Sequence, residues 1–209
     1  MLKEEKRQIL IDLMKKMKAD DSLPLKSGST NLVFGEGNVD TKVVFIGEGP
    51  GFYEDQKALP FVGRAGQLLN ELLTSIGLER KEVFITNVVH HRPPQNRDPL
   101  PEEMAAYQPY LDKIIETIDP KVIVTLGRFS MGKFLPGVTI TRVHGKPEVI
   151  TWNGRTITIV PMYHPAAALR NGSIKLQLQK DFLVIKEVLE KIEKEEEEEK
   201  KKPKQESLV

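Results

Sequence analysis

Four short apolar segments constrain the fold of this chain more than any other feature of its sequence. They are rich in β-branched residues and span positions 42–47, 83–89, 121–127 and 156–164. None of them alternates apolar and polar side chains, which is typical of strands buried on both faces, as in a parallel sheet. Helices are predicted around them at 3–18, 64–77, 101–118, 128–135 and 173–192. The alternation predicts a three-layer α/β/α sandwich with a central, mainly parallel four-stranded sheet.

The chain divides into one folded unit and a charged end. We expect residues 1–192 to form a single domain, and the low-complexity segment 193–209 to be a disordered tail. The last five residues, 205–209, resemble the opening of a sliding-clamp binding motif, but the aromatic pair that should follow is absent. They are either a clamp-binding segment or a chance tail. Within the helix predicted at 101–118, Pro109 should kink or divide the helix.

Composition excludes several classes of protein and site. The 209 residues include no cysteine, which excludes disulfides, thiolate zinc sites, cysteine-ligated iron–sulfur clusters and cysteine nucleophiles. The net charge of +1 permits a polyanionic partner without demanding one. No apolar run reaches the ~18 residues of a membrane-spanning helix, and the first residues do not form a secretory signal. A cytoplasmic protein with no membrane association is predicted.

Polar and glycine-rich residues follow the predicted strands. The first strand leads into a GEGPG segment that contains Glu48 and Gly49, the second ends at Asn87, and the fourth leads to His164. Gly127 and Arg128 follow the third. Because the carboxyl ends of parallel strands meet at one edge of a sheet, these residues predict a ligand site there.

Each of these residues has a structural and a functional interpretation. Asn87 lies in an apolar strand, so its amide either braces a neighbouring loop or reads a ligand with its donor and acceptor. Phe61 either packs in the core or contacts the ligand. Glu54 is either a solvated loop carboxylate or part of the site. His164 is either structural or functional, and Arg170 nearby favours the second interpretation.

Four motifs in this order resemble family 4 of the uracil-DNA glycosylase superfamily. They are TNLVFGEGN (30–38), GEGPGFYED…PFVGRAG (47–66), ITNVVHHRPPQNR (85–97) and HPAAALR (164–170). The resemblance runs from about position 23 to 192, which is most of the chain.

The resemblance implies a role for each matching residue. Glu54 would lie beside C5 of uracil and exclude the methyl group of thymine, Phe61 would stack on the flipped base, and Asn87 would read the uracil edge. His164 would lie near O2 of the base, where negative charge develops. Gly49 and its neighbours would form the water and sugar side of the pocket. Other branches have an aspartate at Gly49, so here the water is held by Glu48, by a backbone carbonyl or by neither; we favour Glu48.

The implied function is hydrolysis of the N-glycosidic bond of uracil in DNA by a monofunctional, monomeric enzyme that leaves an abasic site. Loops around the pocket would contact DNA phosphates through Arg92, Arg97, Arg142, His144, Lys146, Arg170 and Lys175. Two alternatives remain open. One is a DNA-damage-binding module with lost or altered catalysis, and the other is a glycosylase for other deaminated bases such as hypoxanthine.

One feature departs from the family. Family 4 enzymes usually hold a four-iron, four-sulfur cluster with four cysteines, and the matching positions here are Asp20, Leu23, His91 and Tyr107. A thiolate-held cluster is excluded, and we expect no metal and no cofactor. Either another metal site uses Asp20, His91 and His90, or packing of Leu23, Tyr107 and nearby apolar groups holds the loop. We favour packing.

Overall fold

The computed structural model describes residues 1–201, so the suggested clamp-binding segment at 205–209 lies outside the described residues. The strands are β1 (Glu36–Gly37), β2 (Val43–Gly47), β3 (Phe84–Asn87), β4 (Val122–Leu126), β5 (Glu148–Trp152) and β6 (Arg155–Met162). The helices are α1 (Lys3–Ala19), α2 (Phe52–Lys57), α3 (Arg64–Ser75), α4 (Pro101–Ile118), α5 (Arg128–Phe134), α6 (Ile140–Val143), α7 (Pro165–Ala168) and α8 (Gly172–Lys201).

The strands form one sheet in the order β1-β3-β2-β4-β6-β5. The four inner strands are the predicted apolar segments, and they pair in parallel. The sheet has six strands rather than the predicted four, because β1 and β5 add antiparallel edges. The sequence of β5, EVITW, includes apolar residues, but none of its five residues is fully buried. β1 has two residues, and β5 leaves Val149 68% exposed.

Helices cover both faces of the sheet, which confirms the predicted three layers. On β2, Val44 and Ile46 pack with α1 and α4, whereas Val43 and Phe45 pack with α3 and α8. Burial on both faces explains why the strand sequence does not alternate.

Two helices differ from expectation. Pro109 does not divide α4. It leaves the carbonyl of Ala105 without its helical hydrogen bond, but both residues lie on the exposed side of the helix. α8 continues to Lys201, and the ammonium of Lys42 pairs with Glu196 at 2.8 Å. Residues 193–201, the first nine positions of the predicted tail 193–209, are thus helical. No helix within residues 1–201 combines the length and apolarity needed to cross a membrane.

Candidate active site

A cavity of about 470 Å³ opens at the carboxyl edge of the parallel strands. It lies where the segments after β2, β3 and β6 meet, as the strand-end argument predicted. Its lining residues are Glu48, Gly49, Pro50, Gly51, Glu54, Phe61, Ala65, Asn87, Pro93, Asn96, Arg97, Asp98, Pro99, His164, Ala166, Ala167 and Arg170. All six residues predicted for catalysis and base binding are among them.

The glycine-rich segment after β2 lets these elements approach one another. Gly47 pairs with Asn87 across the β2–β3 ladder. A Cβ atom at Gly47 would lie 2.4 Å from Oδ1 of Asn87 and 2.6 Å from the ring of Phe61. At Gly49 it would lie 2.7 Å from a methyl group of Val89. Glycine at position 47 therefore allows the amide and the aromatic ring to meet over the strand end.

Asn87 is the last residue of β3, and its side chain faces the cavity while only 2% of the residue is exposed. Its amide makes no hydrogen bond to any residue between 1 and 201, so it does not brace a neighbouring loop. Its atoms are not among the fully buried polar atoms that lack a partner within residues 1–201, so the amide is accessible from the cavity. The amide is thus held ready to pair with something that enters the cavity.

Phe61 is held in an unusual backbone conformation. Its φ is 50°, in the left-handed region that non-glycine residues rarely adopt. One carboxylate oxygen of Glu54 accepts the N–H groups of Val62 and Gly63, each at 2.9 Å. The guanidinium of Arg80 donates to the carbonyl oxygens of Pro60 and Phe61 and pairs with Glu36. These contacts fix the ring at the cavity wall.

Phe61 serves both the core and the cavity, so its two interpretations are not exclusive. It is 6% exposed and packs with α3, and its ring stacks on His164 with centroids 5.6 Å apart and planes 29° apart. Glu54, by contrast, is not a merely solvated carboxylate. Its neighbour Asp55 points away from the cavity and accepts the N–H groups of Thr30 and Asn31 at 2.8 and 3.0 Å.

His164 presents a neutral imidazole to the cavity. Pro165 begins α7, and Nδ1 of His164 accepts the N–H of Ala166 at 3.1 Å. Burial lowers the pKa of His164 to about 4, although the charge of Glu54 opposes that shift. With Nδ1 acting as an acceptor, the ring proton is on Nε2, which makes the imidazole a hydrogen-bond donor.

Glu48 is a carboxyl group of the cavity whose pKa, like that of His164, is shifted toward the neutral form. Burial and the charge of Asp98 together raise the pKa of Glu48 to about 7, and the charge of Arg128 partly opposes them. A carboxyl with that pKa exists in both protonation states near pH 7, so it can accept a proton from water.

The loop of residues 93–99 forms a wall of the cavity; the sequence predicted Arg97 of this loop as a DNA contact but gave no role to Asp98. Asp98 forms an ion pair with Arg128 at the start of α5. Arg97 forms a two-fold ion pair with Glu103, with nitrogen–oxygen distances of 2.8 and 2.5 Å. Arg128 had a signal in the sequence, since it follows the third predicted strand, but its pairing with Asp98 had none.

The predicted DNA-contacting residues fall into two groups. Arg97 and Arg170 line the cavity, and Arg92 donates from Nε to Asn96, a lining residue, at 2.7 Å. His144 and Lys146 do not line it: Nδ1 of His144 lies 2.7 Å from the carboxylate of Asp181, and Lys146 donates to the carbonyl of Arg142 at 2.9 Å.

The four positions of the family's cluster ligands do not fit an iron–sulfur cluster. The hydroxyl of Tyr107 lies 2.8 Å from Nδ1 of His91, and Leu23 is 4% exposed in the same apolar core as Tyr107. The carboxylate of Asp20 accepts the hydroxyl of Tyr110 at 2.6 Å. Residues 1–201 contain no group of three or more acidic, histidine or cysteine side chains placed to hold a metal ion.

Comparison with known proteins agrees with this geometry. The family model described as "Uracil DNA glycosylase superfamily" matches residues 34–190. The type-4 uracil-DNA glycosylase of Thermotoga maritima is 48% identical over 177 residues, covering 84% of this chain and 89% of that protein.

Two archaeal proteins with the same description are also similar. The protein of Sulfurisphaera tokodaii is 48% identical over 76% of this chain and 75% of its own length. The protein of Archaeoglobus fulgidus is 44% identical over 86% of this chain and 92% of its own length. The matched residues include every residue described at the cavity, and the chain belongs to the uracil-DNA glycosylase superfamily.

Proposed function

We propose that this protein removes uracil from DNA by hydrolysing its N-glycosidic bond and leaves an abasic site. The observation that carries the proposal is the buried amide of Asn87, which faces the cavity without a partner among residues 1–201. The family and the descriptions of its relatives as type-4 uracil-DNA glycosylases support it.

Recognition follows from hydrogen-bond complementarity. Uracil offers an N3–H donor beside an O4 acceptor, and one asparagine amide pairs with both. Cytosine presents the reverse pattern and would leave the buried amide unpaired, which is a strong basis for rejection. Phe61 supplies the stacking surface for a base that has left the duplex. Glu54, held against the 61–63 backbone, lies beside C5 and excludes the thymine methyl group.

Catalysis requires a donor where charge develops. As the bond between C1′ and N1 breaks, the electron pair moves onto the base and positive charge develops on the sugar. The neutral imidazole of His164 donates from Nε2 to O2 and stabilises the anionic base. Water attacks C1′, and Glu48 accepts its proton. The products are free uracil and an abasic sugar.

The reaction is simple hydrolysis. None of the described residues that line the cavity is a lysine, so that part of the chain offers no amine to form a covalent adduct with the sugar. The DNA strand therefore remains intact until alkali breaks the abasic site. Arg170 and Arg92 at the mouth are the strongest candidates for phosphate contacts.

The remaining assignments extend the proposal beyond the cavity. Residues 1–192 act as one glycosylase domain with 193–209 as an appendage, and the protein works as a cytoplasmic monomer. Clamp binding by 205–209 remains a prediction.

The test is a cleavage assay on labelled oligonucleotides that carry U·G, U·A, single-stranded U, T·G or hypoxanthine·T, followed by alkali. Asn87→Ala and His164→Ala are compared with the wild type and with Asn153→Gly, which removes an exposed asparagine from the turn between β5 and β6. We expect uracil release that each cavity variant lowers by about 10²–10³-fold and the control preserves.

Absence of release from every substrate, with DNA binding retained, would overturn the enzyme and favour the DNA-damage-binding module. Release of hypoxanthine in preference to uracil would instead assign the cavity to another deaminated base.

A further inference from the structure

Two large aromatic side chains point into solvent beside the cavity mouth. Phe52 is 50% exposed and Tyr53 is 60% exposed. They lie in the first turn of α2, directly between Gly51 and Glu54, which both line the cavity. Exposed side chains of this size next to a binding site point to an interaction surface.

The two rings form a corner that carries a positive charge. Their centroids are 5.5 Å apart with planes at 79°, so they meet edge to face. The guanidinium of Arg92 lies over the ring of Phe52, 5.2 Å from its centroid. Arg92 uses Nε to bond Asn96, and its two terminal nitrogens make no hydrogen bond within residues 1–201.

Aromatic faces beside a free guanidinium match the chemistry of unpaired nucleotides. Bases stack on exposed aromatic rings whatever their identity, and arginine contacts the phosphate. In an intact duplex the neighbours of a flipped nucleotide remain stacked and paired, so their faces are not available. The surface is also continuous with the cavity, because Gly51 and Glu54 line the cavity and the two aromatic residues lie between them in the chain.

We propose that Phe52, Tyr53 and Arg92 form a platform that binds the unpaired nucleotide adjacent to the flipped uracil in single-stranded DNA. The rings stack on the base and Arg92 contacts its phosphate. This inference rests on the proposed function, because it takes the cavity as the uracil site. It assigns to the same site a preference for single-stranded substrate.

The experiment measures binding separately from cleavage. The probe is an oligonucleotide in which 2′-fluoro-2′-deoxyuridine replaces deoxyuridine, so that the bond resists hydrolysis, with 2-aminopurine on its 5′ or its 3′ side. Binding is measured with single-stranded and duplex forms for the wild type and for Phe52→Ala/Tyr53→Ala. Leu183→Ala, which truncates a 51% exposed side chain on α8, is the matched control.

We expect the double variant to weaken single-stranded binding by about five- to tenfold or more and duplex binding by less than about twofold. The fluorescence of 2-aminopurine on one side of the uracil should be quenched by the wild type and by Phe52→Trp/Tyr53→Trp, but not by the double alanine variant. Leu183→Ala should behave as the wild type.

Equal losses for the two DNA forms, or no loss for either, would overturn the platform and leave the aromatic pair to a protein partner. The platform and the enzyme can fail separately. If the wild type releases uracil and the double variant binds single-stranded DNA as the wild type does, only the platform proposal is overturned. If no uracil is released but the wild type still stacks on 2-aminopurine, only the proposed enzymatic function is overturned.

Discussion

The cavity and the region around Tyr107 both contain buried polar side chains, but they use them differently. In the cavity, the side chains of Asn87 and His164 both form part of the lining, and Nδ1 of His164 is bonded to the N–H of Ala166. Around Tyr107, His91 pairs with the Tyr107 hydroxyl, whereas Nδ1 of the adjacent buried His90 has no hydrogen-bond partner within residues 1–201. Unpaired polar groups in a cavity indicate a ligand, whereas paired groups indicate that side chains have taken over a structural role. The cavity residues lie within the stretch that matches the family, whereas the positions that the resemblance assigns to cluster ligands hold no cysteine.

The largest expected loss in the rate of uracil release comes from filling the space between Gly47, Asn87 and Phe61. Gly47→Ala places a methyl group 2.4 Å from Oδ1 of Asn87 and 2.6 Å from the Phe61 ring. A displacement of about 1 Å can cost 10²-fold in rate, so uracil release should fall by at least that factor. The control is Gly132→Ala in α5, where a Cβ meets nothing within 4 Å. A Gly47→Ala enzyme with the wild-type rate would show that the cavity does not depend on this close approach.

The second effect is on the pH dependence of cleavage. Because the pKa of Glu48 is raised to about 7, the carboxylate that we propose as the acceptor of the proton from water is lost as the pH falls below 7. Single-turnover rates should then drop by about tenfold per pH unit. His164 remains neutral over this range because its pKa is about 4. Glu48→Gln should lower the rate and remove the slope. A slope that persists in that variant would assign it to another group.

A smaller effect, on stability, should follow from opening the pair at Tyr107. Tyr107→Phe removes the hydroxyl that bonds His91 and leaves a buried imidazole nitrogen without its partner. The free energy of unfolding should fall by about 1–3 kcal/mol, measured by denaturant titration. The cleavage rate of the folded variant should match that of the wild type. A large loss of rate at unchanged stability would mean that this region takes part in the reaction.

The smallest effect should come from removing metal ions. At the positions that match the family's cluster ligands, side chains pack and pair with one another. Dialysis against a chelator should therefore change the uracil-release rate by less than about twofold. The same treatment of Tyr107→Phe tests whether loosening the region creates a metal requirement. Inactivation of the wild type by chelator, reversed by an added metal, would contradict the account of this region.

The sequence predicted the features that depend on local patterns. The four inner strands, the two apolar faces and the cavity loops all follow from runs and motifs of neighbouring residues. The edge strands β1 and β5 did not, because a short or half-exposed strand has little apolar signal. The sequence also did not predict the ion pairs between side chains. Arg97 and His144 were predicted to contact DNA phosphates and Arg128 had no predicted role, yet each faces a carboxylate in the fold.

The unpaired amide of Asn87 has a consequence for how this protein can change. A leucine at this position would fill a similar volume and need no hydrogen-bond partner, so thermal resistance alone gives no reason to keep the amide. A leucine variant would keep its heat tolerance while it lost the ability to distinguish uracil. Melting temperature is therefore a misleading guide when variants of this protein are ranked for use.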